Sequence, residues 1–111
     1  MKINYSFLLA MLVISSFPAF AEEGSVNIIF PKDGATLNGQ NENKLSYEVV
    51  PGPNGDHVHV YVDSNEDVVR ILKGDYTLPK LSPGEHTIAI KVVNKNHTPI
   101  GVEKSIKVTA N

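Results

Sequence analysis

The chain has 111 residues, with 10 basic and 12 acidic side chains, 4 histidines and no cysteine. A formal net charge of −2 gives no basic excess to attract nucleic acid or an anionic lipid surface. Without cysteine, a disulfide scaffold, a thiolate metal site and a cysteine nucleophile are all excluded.

Residues 1–21, MKINYSFLLAMLVISSFPAFA, carry Lys2, an apolar run from Phe7 to Ile14 and the terminal Ala19-Phe20-Ala21. This pattern predicts a secretory signal peptide cleaved after Ala21. The apolar run is well short of the ~20 residues that span a bilayer, so no membrane insertion is expected after cleavage. The working chain is then a single domain from Glu22 to Asn111, periplasmic or secreted. Met1 and Met11 leave with the leader, so the domain has no sulfur ligand. All four histidines stay, with Phe30, Tyr47, Tyr61 and Tyr76 as the aromatics.

The domain reads as short strands between turn residues, at the ~8–12-residue spacing of an all-β sandwich. Strands are predicted at Val26–Phe30, Leu45–Val50, His57–Asp63, Val68–Leu72, Tyr76–Leu78, His86–Val93 and Val102–Thr109. Seven strands is the count of an immunoglobulin- or fibronectin-like antiparallel β-sandwich. The separators PKDG, NGQNEN, PGPNGD, DSNED, KGD, SPGE and NKNHTPIG are rich in turn formers. No stretch repeats apolar residues at the helical period, so helix is expected to be almost absent. The run VVRIL at 68–72 has ambiguous polarity and reads as a candidate edge strand.

Alternation assigns faces. In His57–Asp63, Val58, Val60 and Val62 share one side and His57, His59, Tyr61 and Asp63 the other. In His86–Val93, Ile88, Ile90 and Val92 share a side with His86. Near the C-terminus, Val102, Ile106 and Val108 oppose Glu103, Ser105, Lys107 and Thr109.

The segments PKDGATL (31–37), GDHVHVYVD (55–63), LSPGEH (81–86) and NHTP (96–99) together resemble a family of small, secreted bacterial domains of uncharacterised function. The shared pattern is P-x-D-G-A-T, G-x-H-x-H-x-x-x-D, L-x-x-G-x-H and H-x-P, and it spans Pro31 to Pro99. The L-x-x-G-x-[HY]-T corner also occurs in many bacterial immunoglobulin-like and fibronectin-like modules. The resemblance implies a secreted immunoglobulin-like domain with recurring histidines, and no reaction.

Placed as strands C, F and G of such a sandwich, His57–Asp63, His86–Val93 and Val102–Thr109 put the F–G loop beside the start of strand C. His97 then lies at the same end as His57 and His59, while His86 lies at the other end, about 20 Å away. His57 and His59 project from one face with Cα atoms about 6.5–7 Å apart, close enough for ring nitrogens to meet one ion at ~2.0–2.1 Å. His97 would supply a third ligand and leave an open position. Imidazoles without sulfur suit copper(II) or zinc, and the Irving–Williams order favours copper at equal availability. Binding should weaken on acidification, because the rings must be deprotonated. Asp56 is the candidate to orient the His57 ring. The bland reading makes His57 and His59 part of a polar outer face and His97 an ordinary loop residue.

His86 fits a corner position, its ring against the core and one N–H on a nearby carbonyl. In DSNED, Asp63, Asn65 and Asp67 match the first calcium-loop positions, but Val68 and Gly74 stand where glycine and a bidentate glutamate are needed. That segment therefore reads as a solvated turn. No nucleophile elbow, Walker loop or dinucleotide fingerprint is present, so an enzyme is not expected.

Two functions remain. The first is a monomeric or weakly associated metal-binding domain holding copper or zinc through His57, His59 and His97, as carrier or buffer. Its site is expected to be exposed and to exchange metal readily. The second is an immunoglobulin-like interaction module that docks an envelope protein or polysaccharide without metal.

Overall fold

The computed structural model describes residues 23–111. The expected leader, residues 1–21, and its cleavage site lie outside the described residues. Alternating polarity and turn residues resolve into eight strands: β1 Ser25–Phe30, β2 Thr36–Leu37, β3 Asn43–Val50, β4 His57–Val62, β5 Asn65–Val69, β6 Lys73–Leu78, β7 Gly84–Val93 and β8 Pro99–Ala110. The described residues contain no helix. One sheet has the order β1-β3-β6, the other β2-β8-β7-β4-β5. Only β2 runs parallel to its neighbour, β8.

The seven expected strands are present, with shifted ends, and β2 is an eighth. Two residues are too few to show alternation, so its existence depends on long-range pairing. Gly34 turns the chain at φ 84. Its N–H donates to the Lys107 carbonyl, and the Ala35 and Leu37 carbonyls then accept from Thr109 and Asn111.

The acidic turn and the VVRIL strand both require correction. Only Asp63 and Ser64 turn, with Asp63 at φ 57, and β5 begins at Asn65. Asn65, Glu66 and Asp67 are therefore strand residues, not a loop. At the other end β5 stops at Val69, because the following residues are drawn to the opposite sheet. The Tyr47 hydroxyl donates to the Ile71 carbonyl at 2.7 Å, and Val49 N–H donates to the Leu72 carbonyl at 2.7 Å. Both acceptors answer to β3, which lies in the other layer.

Between the layers, Leu45, Tyr47 and Leu78 meet Val58, Val60, Ile88, Ile90, Val92 and Val108, all buried. Burying each such aliphatic side chain is worth about 1.5–3 kcal/mol. Removing bulk from this core should therefore outweigh removing one hydrogen bond. In urea denaturation, Ile90→Ala should lose about 2–5 kcal/mol and Tyr47→Phe about 1–2 kcal/mol, the latter from an unsatisfied Ile71 carbonyl. A Tyr47→Phe variant as stable as the parent would show that water replaces the hydroxyl.

Candidate metal centre

In β4 the even residues face the core and the odd ones the outer surface of the five-stranded sheet. His57 lies opposite Val93 of β7, and His59 lies between Lys91 of β7 and Val68 of β5. An outer face is ordinarily wet, yet His57 is 1% exposed and His59 4%. The expectation of an exposed site is thus wrong for two of its three residues.

Their cover comes from the turn between β7 and β8. Asn94 organises it: the side-chain Oδ1 accepts from the N–H groups of Asn96 and Thr98, and the carbonyl accepts from His97 N–H. His97 itself sits in the left-handed region at φ 66. A β-branched residue would pay heavily for that backbone; histidine tolerates it better. The turn brings the His97 ring over the other two, with centroids 4.7 Å from His57 and 5.2 Å from His59. His97 remains exposed.

The three rings aim nitrogen at nitrogen. His97 Nδ1 lies 3.1 Å from His57 Nε2 and 3.0 Å from His59 Nε2. Each of the three residues has a ligand nitrogen within 4.8 Å of the others. Two nitrogens bound to one ion at ~2.0–2.1 Å stand about 2.9 Å apart at a right angle and about 3.4 Å at the tetrahedral angle. The observed separations fall inside that interval.

Two carboxylates hold the opposite edges of the buried rings. His57 Nδ1 donates to Asp56 Oδ2 at 2.9 Å, as expected for Asp56. His59 Nδ1 donates to Glu66 Oε2, which also accepts from the Tyr61 hydroxyl at 3.0 Å. These bonds place the proton of each neutral ring on Nδ1 and leave Nε2 bare. The His57 hydrogen bond holds the Asp56 carboxyl below the usual carboxylate range, and the His59 bond does the same for Glu66. Tyr61 is pushed up, by burial first and then by its bond to Glu66.

Glu66 is the residue that sequence reasoning missed. A two-residue turn at Asp63-Ser64 pairs Tyr61 with Glu66 and puts both on the histidine face. Reading Val62-Asp63-Ser64-Asn65 as a tight hairpin would have exposed this pairing; treating DSNED as a loop concealed it.

His86 stays outside the cluster. Its Nδ1 donates to Asp63 Oδ2 at 2.7 Å and its Nε2 to the Ser82 carbonyl at 2.7 Å. Asp63 Oδ1 accepts from Thr87 N–H at 3.0 Å, so this pair ties the β4–β5 turn to β7. The role is the expected corner one, extended by an ion pair.

No family model matches the chain, and no curated protein matches it. Among solved structures it is similar to the fibronectin(III)-like modules of Clostridium thermocellum CbhA, with 18% identity and a TM-score of 0.60. That match covers 78% of this chain and 95% of the module. The fold is a fibronectin-like β-sandwich. A second match is the extracellular domain of the putative one component system BT4673 from B. thetaiotaomicron, at 12% identity and a TM-score of 0.59. It covers 83% of this chain but 16% of the other, so the sandwich corresponds to a small part of that protein. Among the described residues no helix is long and apolar enough to cross a membrane.

The Asp63–His86 pair sets a testable pH window. The hydrogen bond from His86 lowers Asp63, so its stabilisation is present above the ordinary carboxylate value of 3.8 and fades as pH falls through the lowered one. Bonding to Asp63 raises His86, so its stabilisation is full below 6.5 and fades as pH rises through the raised value. His86→Ala should therefore lose most stability near pH 5 and least near pH 9, by about 1–2 kcal/mol at the maximum. Chemical denaturation at both pH values, beside the parent, checks the sign. An equal loss at both would leave only packing as the explanation.

Proposed function

We propose that this fibronectin-like domain binds one divalent transition-metal ion, copper(II) or zinc, through His57 Nε2, His59 Nε2 and His97 Nδ1. The observation that carries the reading is a proton deficit. Once His57 and His59 give their Nδ1 protons to carboxylates, three nitrogens face one another and only His97 Nδ1 can bring a proton. One proton hydrogen-bonds one Nε2 well and leaves the other unpaired in a buried place, at a cost of about 1–3 kcal/mol. A cation held at the centre satisfies all three lone pairs at once.

The carboxylates support the same assignment. Metal-bound histidines characteristically donate their other N–H to a carboxylate, which raises ligand basicity and fixes the ring. Asp56 and Glu66 do this for His57 and His59, and their two negative charges complement a divalent cation. Imidazole donors fit copper(II) and zinc, and three protein ligands leave a coordination position for water or an exchanging ligand. Secretion into the periplasm and metal carriage or buffering there complete the proposal. They rest on the leader at residues 1–21 and on the resemblance to secreted bacterial immunoglobulin-like domains.

Calorimetric titration of the apo-protein with copper(II) and with zinc should give one site per chain. A His57→Ala/His59→Ala/His97→Ala variant should lose it. Equal weak binding by both proteins would overturn the proposal. Glu66→Gln should keep the three ligands and still weaken the metal about 10–100-fold, because an amide orients the ring less firmly than a carboxylate. Unchanged affinity would remove Glu66 from the centre.

A further inference from the structure

We propose that two copies of this chain associate through β5, edge to edge and antiparallel about Val68, in place of the monomer expected from sequence. β5 ends the five-stranded sheet and pairs only with β4. Its two-residue turn makes Val62–Asn65 the first hydrogen-bonded pair, and alternation makes Val60–Asp67 and Val58–Val69 the next. Asn65, Asp67 and Val69 therefore spend their backbone groups on β4. Glu66 and Val68 turn theirs outward, where no backbone partner is present among the described residues, and Arg70 follows directly after the last strand residue.

The side chains select the partner. Edge strands ordinarily avoid pairing by presenting charges that meet their like. Here an antiparallel copy centred on Val68 sets Glu66 against Arg70 of the second chain and Arg70 against its Glu66. Like charges oppose when the centre moves to Glu66 or to Arg70, so the charges favour one register among these. Asp67 falls opposite Val69 and meets no like charge. The apolar side chains agree: Val68 is 47% exposed at the centre and Ile71 55% exposed beside it. Arg70 is 66% exposed and already makes a long, 3.5 Å ion pair with Asp56 Oδ2, which the new pair would share or replace. Glu66 uses Oε2 for His59 and Tyr61, which leaves Oε1 for the second chain's guanidinium.

This pairing extends the five-stranded sheet across a two-fold axis and needs no metal. Two of the other edges are less suited. β2 has two residues, and β1 has an irregular register between Ile28 and Phe30, which interrupts the regular edge a second strand needs.

Because the chain has no cysteine, a single introduced thiol reads the register cleanly. Directly opposed residues of a hydrogen-bonded antiparallel pair have Cα atoms about 5.5 Å apart, within disulfide reach. In the full exported protein, oxidation of Val68→Cys with diamide should give a covalent dimer in high yield. Ser64→Cys, about 26 Å from its own copy in this register, should give at least tenfold less. Comparable yields from both variants, or none from Val68→Cys, would overturn the register. Sedimentation equilibrium without oxidant tests association itself. The parent's mass should rise towards two chains with concentration, and Val68→Pro should weaken that at least about tenfold, because it removes an outward N–H that β4 does not use. Circular dichroism with thermal melting confirms that Val68→Pro remains folded. Should it unfold, Arg70→Glu serves instead, setting Glu66 against a carboxylate. A parent that stays at one chain throughout would end the proposal.

Discussion

The register of β4 is the constraint on which both the core and the histidine cluster depend. Side chains alternate, so a slip of one residue would send Val58, Val60 and Val62 to the outer face and drive His57 and His59 between the sheets. Three buried valines at about 1.5–3 kcal/mol each already equal much of the stability of a small domain. Two imidazoles among Leu45, Ile88 and Ile90 would add unsatisfied polar groups to that loss. The slip is therefore forbidden, and the same apolar pattern that builds the core aims both histidines outward. Tyr61 and Glu66 follow by pairing, and Lys91 reaches the Tyr61 ring at 4.9 Å from the β7 side.

What the sequence revealed of this arrangement depended on whether the determining contact was local. His57 and His59 share a face by their spacing alone. His97 could be placed with them because antiparallel order in the C, F and G strands puts the F–G turn at the start of C, and the nitrogens do meet. Glu66 was out of reach because its position rests on the turn being two residues long, and every residue of DSNED suits a longer loop equally well. Burial of His57 and His59 was also illegible, because an isolated sheet face is open to water. Their cover comes from the left-handed backbone at His97, which is set by the Asn94 hydrogen bonds and not by polarity. The strand β2 was hidden for a similar reason: nothing in Thr36-Leu37 announces a strand until β8 lies beside it.

The two ends of the five-stranded sheet treat histidine differently. At one end His86 spends both ring N–H groups on acceptors, Asp63 and the Ser82 carbonyl, and its chemistry is complete. At the other end His57 and His59 each give one N–H to a carboxylate and then face a third ring with nothing to donate. The contrast separates a histidine whose ring nitrogens are both paired from two that each keep a bare one, and exposure does not. Buried His57 and His59 would be taken for core residues by exposure alone, and partly exposed His86 for a surface ligand.

The three histidines are also held with unequal firmness, and under the proposed function this bears on carriage. His57 and His59 project from a strand paired on both sides, with carboxylates behind their rings. His97 stands on a turn, exposed, in a left-handed conformation that costs an ordinary side chain about 1–2 kcal/mol, and no carboxylate bonds its ring among the described residues. Under the proposed function its bond to metal is the one most easily given up. Losing it would uncover the two Nε2 atoms and leave His57 and His59 to hold the ion. An incoming donor would then replace His97 before displacing His57 or His59, so the buried pair would retain the metal and the exposed ring would govern its exchange.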